Sequence, residues 1–233
     1  MFNDKKVCVV IPAAGSGSRM GSHQPKQFLE INGKPIVVYT IQVFNSLPEV
    51  DSIVLVVRYD SIDFFKRMTM SLDISKTCHV IAGGNERQDS VWNGLQVLKN
   101  QNIDIVVVHD AVRPFVTHEI VRAVISTAAD EGASIAAVRS KDTVKISNGT
   151  RLVQSTPERE HVWITQTPQA FQFSLLYQSY ERACAEKFYG TDDASLVEHA
   201  GFRVKIVESF YDNIKITTPE DLELASLIAH RRK

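Results

Sequence analysis

The stretch "IPAAGSGSRMG" (Ile11–Gly21) combines residue types that suit a bound anion. Ala13, Ala14, Gly15 and Gly17 carry little or no side chain, so the backbone can come close to a ligand, and successive N–H groups can form an anion nest. Arg19 follows with a planar fork that matches two phosphate oxygens, and Lys26 adds a point charge. A nest with two cations suits a polyphosphate better than a single phosphate. The stretch lacks GxxxxGK[ST], so it is not a P-loop. Met20 stands where a dinucleotide fingerprint needs its third glycine. The competing reading is a glycine-rich turn with two solvated cations.

Three further segments carry candidate chemistry. In "HDAVRPF", Asp110 ends an apolar run, where a carboxylate can hold a magnesium–water shell or accept sugar hydroxyls. It could equally pair with Arg113 in the same loop. His109 reads as a packed, hydrogen-bonded histidine rather than a catalyst. In "YDNIKITTPEDL", Lys215 lies in a β-like run, where burial without an anion is costly; on an edge strand it would simply face water. In "TDDASLVEHAG", Thr191, Asp192 and Asp193 open a helix, and capping alone could account for them. No Ser-His-Asp or Cys-His constellation is visible.

Positioning these groups requires strand ends. Val7–Ile11, "SIVLVVR" from Ser52, "HVIAGG" from His79, "DIVVVHDAVRPF" from Asp104 and "SIAAVRS" from Ser134 are short, β-branched, continuously apolar runs. Such runs are buried on both faces, as in parallel sheets. Between them, helices are expected from Pro35, from Ser90 and from Glu119, the last stopped by Gly132. The alternation predicts an α/β fold: a Rossmann-like, mostly parallel sheet flanked by helices. Ligands of such sheets sit beyond the carboxyl ends of the strands, where the small-residue loop and Asp110 both fall.

The pattern breaks after Lys141. "DTVKISNGTRLVQST" reads as two short strands joined at Asn148–Gly149, a hairpin signal because both residues of the favoured turn take positive φ. The expected result is a β-arm over residues 140–160 that projects from one domain spanning 1–233, as a lid or a dimer arm. Helices are then expected from Phe173 to near Gly190 and from Thr191 or Asp192 to Gly201. "FRVKIVES" is expected as a strand, and a last helix is expected with Thr218 as N-cap and Pro219 in its first position.

Composition narrows the partners. The formal net charge is −1, so no global basic field exists for nucleic acid, and any anion site must be built locally. Cys8, Cys78 and Cys184 show no metal-binding spacing, which fits a reduced, cytoplasmic setting. No apolar run reaches membrane length, and the N-terminal run is too short for a signal peptide.

Taken in order, "AAGSGSRM" with "QPKQF", "AGGNERQDSVWNGL", "VHDAVRPF", "KDTVK", "QTPQAF", "GTDDASLVE" and "DNIKITTPEDL" resemble the nucleotidyltransferases that join a nucleoside triphosphate to a phosphorylated sugar or alcohol. Within that superfamily they are most similar to the 2-C-methyl-D-erythritol 4-phosphate cytidylyltransferase family. The resemblance runs from Ile11 to Leu222. It implies that Ala13, Ala14, Gly15 and Gly17 hold CTP, with Gly84, Arg87 and Ser90 around the cytidine. Arg19 and Lys26 would stabilise the transition state. Asp110, Thr167, Thr191 and Lys215 would contact the methylerythritol phosphate. Thr143 and Arg159 would reach a neighbouring site on an arm swapped across a homodimer, Arg159 as a catalytic clamp with Lys215, and Arg113 is expected to do the same. Mg²⁺ would ride on the CTP phosphates, near Asp110. Two residues depart from the common pattern. Val112 replaces a small residue, a spelling shared with D-ribitol 5-phosphate cytidylyltransferases. Ser140 precedes "KDT" where proline is common. The alternatives are therefore the ribitol phosphate enzyme and, from another class, a non-catalytic nucleotide-binding module.

Overall fold

The computed structural model describes residues 1–15 and 28–232, except the side chain of Cys78. Gly17, Arg19 and Lys26 lie outside the described residues. In chain order, β1 is Val7–Ala13, β2 Glu30–Ile31, β3 Lys34–Pro35, α1 Ile36–Ser46, β4 Ser52–Val57, α2 Ile62–Ser71, β5 Thr77–Ala82 and α3 Arg87–Leu98. Next come β6 Ile105–Val108, α4 His118–Glu131, β7 Ala133–Arg139, β8 Ile146–Ser147 and β9 Val153–Ser155. Then follow β10 Trp163–Gln172, α5 Phe173–Glu186, α6 Asp193–His199, β11 Lys205–Glu208 and α7 Pro219–Arg231.

The main sheet has the order β11-β7-β10-β6-β1-β4-β5. β10 runs antiparallel to both of its neighbours, and the other pairings are parallel. The chain moves from β1 outward to β4 and β5, then crosses back to place β6 on the other side of β1. The order therefore reverses between β1 and β6, and this switch point is where such sheets open a crevice for ligands.

Alternation along the apolar strands divides the core between two faces. Val7, Val9 and Ile11 pack with Phe44 of α1, Phe65 of α2 and Val124 of α4. Cys8 and Val10 pack with Leu95 of α3, Tyr180 of α5 and Leu196 of α6. A third cluster lies beside the switch point. Ile31, Ile36, Val112, Phe115, Ile216 and Ala225 tie β2, α1, the segment after β6 and α7 together.

Several expectations are corrected here. Two successive positive-φ residues occur instead at the β2–β3 turn, where Asn32 and Gly33 have φ of 52° and 78°, and at Asn3–Asp4 between bridged Phe2 and Lys5. At β8–β9 the positive φ falls on Arg151, not on Asn148–Gly149. Asn148 instead accepts the N–H groups of Thr150 and Leu152 on its own Oδ1, which stabilises a longer loop. β10 and α2 were not expected as elements. Pro168 inside "WITQTPQAFQ" argues against a strand; the strand accommodates it with a cis Thr167–Pro168 bond and a register shift against β7. α5 ends at Glu186, capped by Lys187 at φ 55°, short of Gly190. Asp192, not Thr191, caps α6, and Thr218 caps α7 with Pro219 in the first turn. Lys215 lies on irregular backbone outside any strand.

Candidate functional site

Each functional side chain is placed by a short segment at the switch point. β1 delivers Ala13, Ala14 and Gly15 to the crevice floor. Across from them, the turn between β5 and α3 brings in Gly84. A Cβ there would lie 2.3 Å from the Cβ of Asp89, so only glycine lets this turn pack against the start of α3. The Ser90 hydroxyl donates to the Glu86 carbonyl at 3.1 Å and accepts the Gly84 N–H at 3.2 Å, so it ties the turn to the helix while lining the crevice.

β6 ends at Val108, and the next residues turn Asp110 into the crevice. The N–H of Asp110 is donated to the Thr167 hydroxyl of β10 at 3.0 Å. The Asp110 carboxylate is almost buried and gathers three cations. Arg87 Nε lies 3.2 Å from Oδ1, Arg113 Nε 3.4 Å from Oδ2, and Lys215 Nζ 2.9 Å from Oδ2. Burial alone would raise this carboxyl's pKa. Arg87, Lys215 and Arg113 together outweigh it and hold the group well below the usual carboxylate range. Arg87 also donates to Asp193, with Nη2 2.7 Å from Oδ2. Burial opposes its charge, but Asp193 and then Asp110 more than compensate, and its pKa is raised. The cluster thus sets three cations against two carboxylates.

Lys215 is held by its neighbours. Ile216 sits in the third core cluster and donates its N–H to the Val112 carbonyl at 2.9 Å. Asn213 donates to Gln166 and to the Thr167 carbonyl, and its own carbonyl accepts from Arg113 Nη1 at 2.8 Å. Val112 therefore packs under the Lys215 segment. His109 is fully buried. Its Nε2 lies 3.0 Å from the Arg113 carbonyl, which can only accept, so Nε2 carries the proton. Burial lowers its pKa to about 4.

The crevice has two lobes. Pro12–Gly15, Gly84, Glu86, Arg87, Ser90, Asp110 and Lys215 line the first, of about 200 Å³. Arg87, Asp110, Arg113, Thr167, Thr191 and Lys215 line the second, of about 270 Å³. All expected site residues within the described range meet here except Thr143 and Arg159. These two sit together at the base of the arm, Arg159 Nη2 donating to Thr143 Oγ1 at 3.3 Å, both exposed. Arg113 is corrected: it is buried and bonded to Asp110 and Asn213 of its own chain, so it serves this crevice and not a neighbour's. Both oxygens of Asp110 face cationic side chains. Ser140 does a local task at the arm base, donating its hydroxyl to the Asp142 carbonyl at 2.9 Å. Asn213 carries no functional signal in the sequence, and Asp193 appears there only as one of three residues at a helix start; the further signal is that a helix needs only one cap from the Asp192–Asp193 pair.

The switch point and the cation cluster lie in a chain of the nucleotidyltransferase class. The family model described as 2-C-methyl-D-erythritol 4-phosphate cytidylyltransferase matches residues 7–231, and the chain belongs to that family. A relative of that name from Syntrophus aciditrophicus is 45% identical over 94% of each chain. Another from Clostridioides difficile is 44% identical over 97% of this chain and 94% of its own. Among solved structures, the 4-diphosphocytidyl-2C-methyl-D-erythritol synthase of Anaerococcus prevotii superposes with a TM-score of 0.87 at 35% identity. It covers 97% of this chain and 96% of its own.

Proposed function

We propose that the chain transfers CMP from CTP to 2-C-methyl-D-erythritol 4-phosphate, releasing pyrophosphate and 4-diphosphocytidyl-2-C-methyl-D-erythritol for non-mevalonate isoprenoid synthesis. The observation that carries the reading is the convergence of Arg87, Arg113 and Lys215 on buried Asp110, beside the Ala13–Gly15 floor, in a member of this family. The chemical problem is the approach of one anion to another. A phosphate monoester loses its second proton near about pH 6, so at neutral pH the nucleophile is already largely a dianion and needs no general base. What remains is charge neutralisation and in-line alignment. The first lobe takes the nucleotide and the second the acceptor, with Arg87, Asp110 and Lys215 on their common wall. Asp110 keeps the cations aimed at the crevice, and an arriving phosphate shares them. Arg19 and Lys26 neutralise the triphosphate as charge moves onto pyrophosphate.

Mg²⁺ enters as part of the substrate, on the CTP phosphates, because Asp110 is already taken up by cations. Residues 140–160 form an arm on a single domain of residues 1–233. Ile146, Leu152 and Val153 are exposed on it, an apolar surface that suits a second copy of the chain. In such a homodimer, Thr143 and Arg159, which do not line their own chain's crevice, complete the partner's acceptor lobe. Among the described residues no helix is long and apolar enough to cross a membrane. The proposed setting for this activity is the cytoplasm. The ribitol phosphate reading is not retained, since the relatives named above carry the methylerythritol name. The test is pyrophosphate release across CTP, ATP, GTP and UTP, with methylerythritol 4-phosphate and ribitol 5-phosphate as acceptors. Turnover confined to CTP with the methylerythritol acceptor supports the proposal; preference for ribitol phosphate overturns its acceptor.

A further inference from the structure

Asp193 is fully buried at the first position of α6, yet it does not cap that helix. Asp192 does so, accepting the Ser195 N–H at 2.9 Å. The two oxygens of Asp193 go elsewhere. Oδ2 accepts from Arg87 Nη2 at 2.7 Å, and Oδ1 accepts the Tyr180 hydroxyl at 2.6 Å. Tyr180 is itself fully buried, and its ring stacks on Trp92 of α3 with centroids 5.7 Å apart and planes 5° from parallel. Three helices therefore converge on one carboxylate. A buried ion pair is a weak source of net stability, because desolvation consumes most of the attraction. What it fixes here is direction. With Nη2 on Asp193 and Nε on Asp110, the plane of the Arg87 guanidinium is set, and Arg87 lines both the nucleotide lobe and the acceptor lobe.

We propose that Asp193, supported by Tyr180, is a positioning residue that locks the Arg87 guanidinium across the boundary between the two lobes. The inference rests on the cytidylyltransferase reading for its effect on turnover, but not for the geometry itself. Two measurements separate these. In the ligand-free protein, the Arg87 Nε–H proton is identified by NMR as the signal absent from Arg87→Lys. Its exchange with water should be at least tenfold faster in Asp193→Asn. An unchanged rate overturns the positioning role whatever the enzyme's substrate is. In turnover, Asp193→Asn should lower kcat/KM about tenfold or more, yet change it less than about threefold in an Arg87→Gln background. Equal, multiplying losses in both backgrounds would mean that Asp193 acts through general stability and not through Arg87. Tyr180→Phe, which removes only one hydroxyl, serves if Asp193→Asn does not fold; it should give the same dependence on Arg87 with a smaller loss. Absence of turnover in the unsubstituted enzyme would reject the functional reading and leave the exchange measurement to decide on Asp193.

Discussion

Acidification from pH 7 to 4 should destabilise the fold through one buried imidazole. His109 closes β6, packs edge-on against Phe44 with centroids 5.0 Å apart, and donates from Nε2 to the Arg113 carbonyl. Its Nδ1 has no hydrogen-bond partner among the described residues. A proton arriving there would create a buried cation with nothing to solvate it, which is why burial lowers the pKa to about 4. The unfolded chain takes up that proton near about pH 6.5. Between the two values the unfolded state binds more protons than the folded state, so stability rises with pH in this window and falls as pH drops from about 6.5 to 4. A gap of about two and a half pH units, at about 1.4 kcal/mol per unit, gives a loss on the order of 3 kcal/mol. The assay is urea unfolding at half-unit steps of pH. His109→Gln keeps an N–H for the Arg113 carbonyl and removes the titration, so its stability should be nearly flat over the same range, although lower at pH 7. A slope that survives His109→Gln refutes the argument. Below the ordinary carboxylate range a second loss should appear: the depressed pKa of Asp110 gives ion pairs that are fully present above about pH 4 and lost as its carboxylate is protonated.

Lys215→Ala should lower kcat/KM on the order of 10²–10³-fold, the typical cost of one preorganised charge, with a melting temperature close to wild type. Near-normal turnover would remove Lys215 from the mechanism, and Lys26→Ala should behave alike. Arg159→Ala should raise KM for the acceptor at least about tenfold and leave KM for CTP nearly unchanged. Verified heterodimers of Lys26→Ala with Arg159→Ala should regain part of the activity if the arm is exchanged, and none if each chain completes its own site. Gly84→Ala places a Cβ 2.3 Å from that of Asp89 and should cost about 1–3 kcal/mol in chemical unfolding, together with weaker CTP binding by calorimetry.

The parallel core was legible because β-branched runs such as Val7–Ile11 and Ile53–Val57 are apolar without interruption, a pattern that buried strands share. Its antiparallel member was not, because the middle of β10, Thr165–Gln169, has neither a continuous apolar run nor alternation and contains Pro168. Two of the three Asn-Gly pairs sit in hairpins and show how context decides a turn. Asn32–Gly33 takes the two positive-φ positions, while Asn148 spends its side chain on Thr150 and Leu152 and passes the positive φ to Arg151. At the site, Lys215 pointed to an anion by its type and Asp110 to a magnesium–water shell or sugar hydroxyls, while Arg87 entered only through the family resemblance. Their mutual pairing depends on distant segments meeting, and no local spacing encodes it. Asp193 was hidden for a related reason: beside a capping aspartate, a second acidic residue reads as helix-start chemistry.

The central claim is that the acceptor's phosphate attacks the α-phosphorus of CTP at this crevice. Phosphorus-31 NMR of a reaction with Mg²⁺, CTP and 2-C-methyl-D-erythritol 4-phosphate tests it most directly. The account predicts a pair of coupled diphosphate-diester signals growing in step with pyrophosphate, and their loss with Lys215→Ala. Accumulation of CDP or inorganic phosphate without the coupled pair would place the attack at the wrong phosphorus and contradict it.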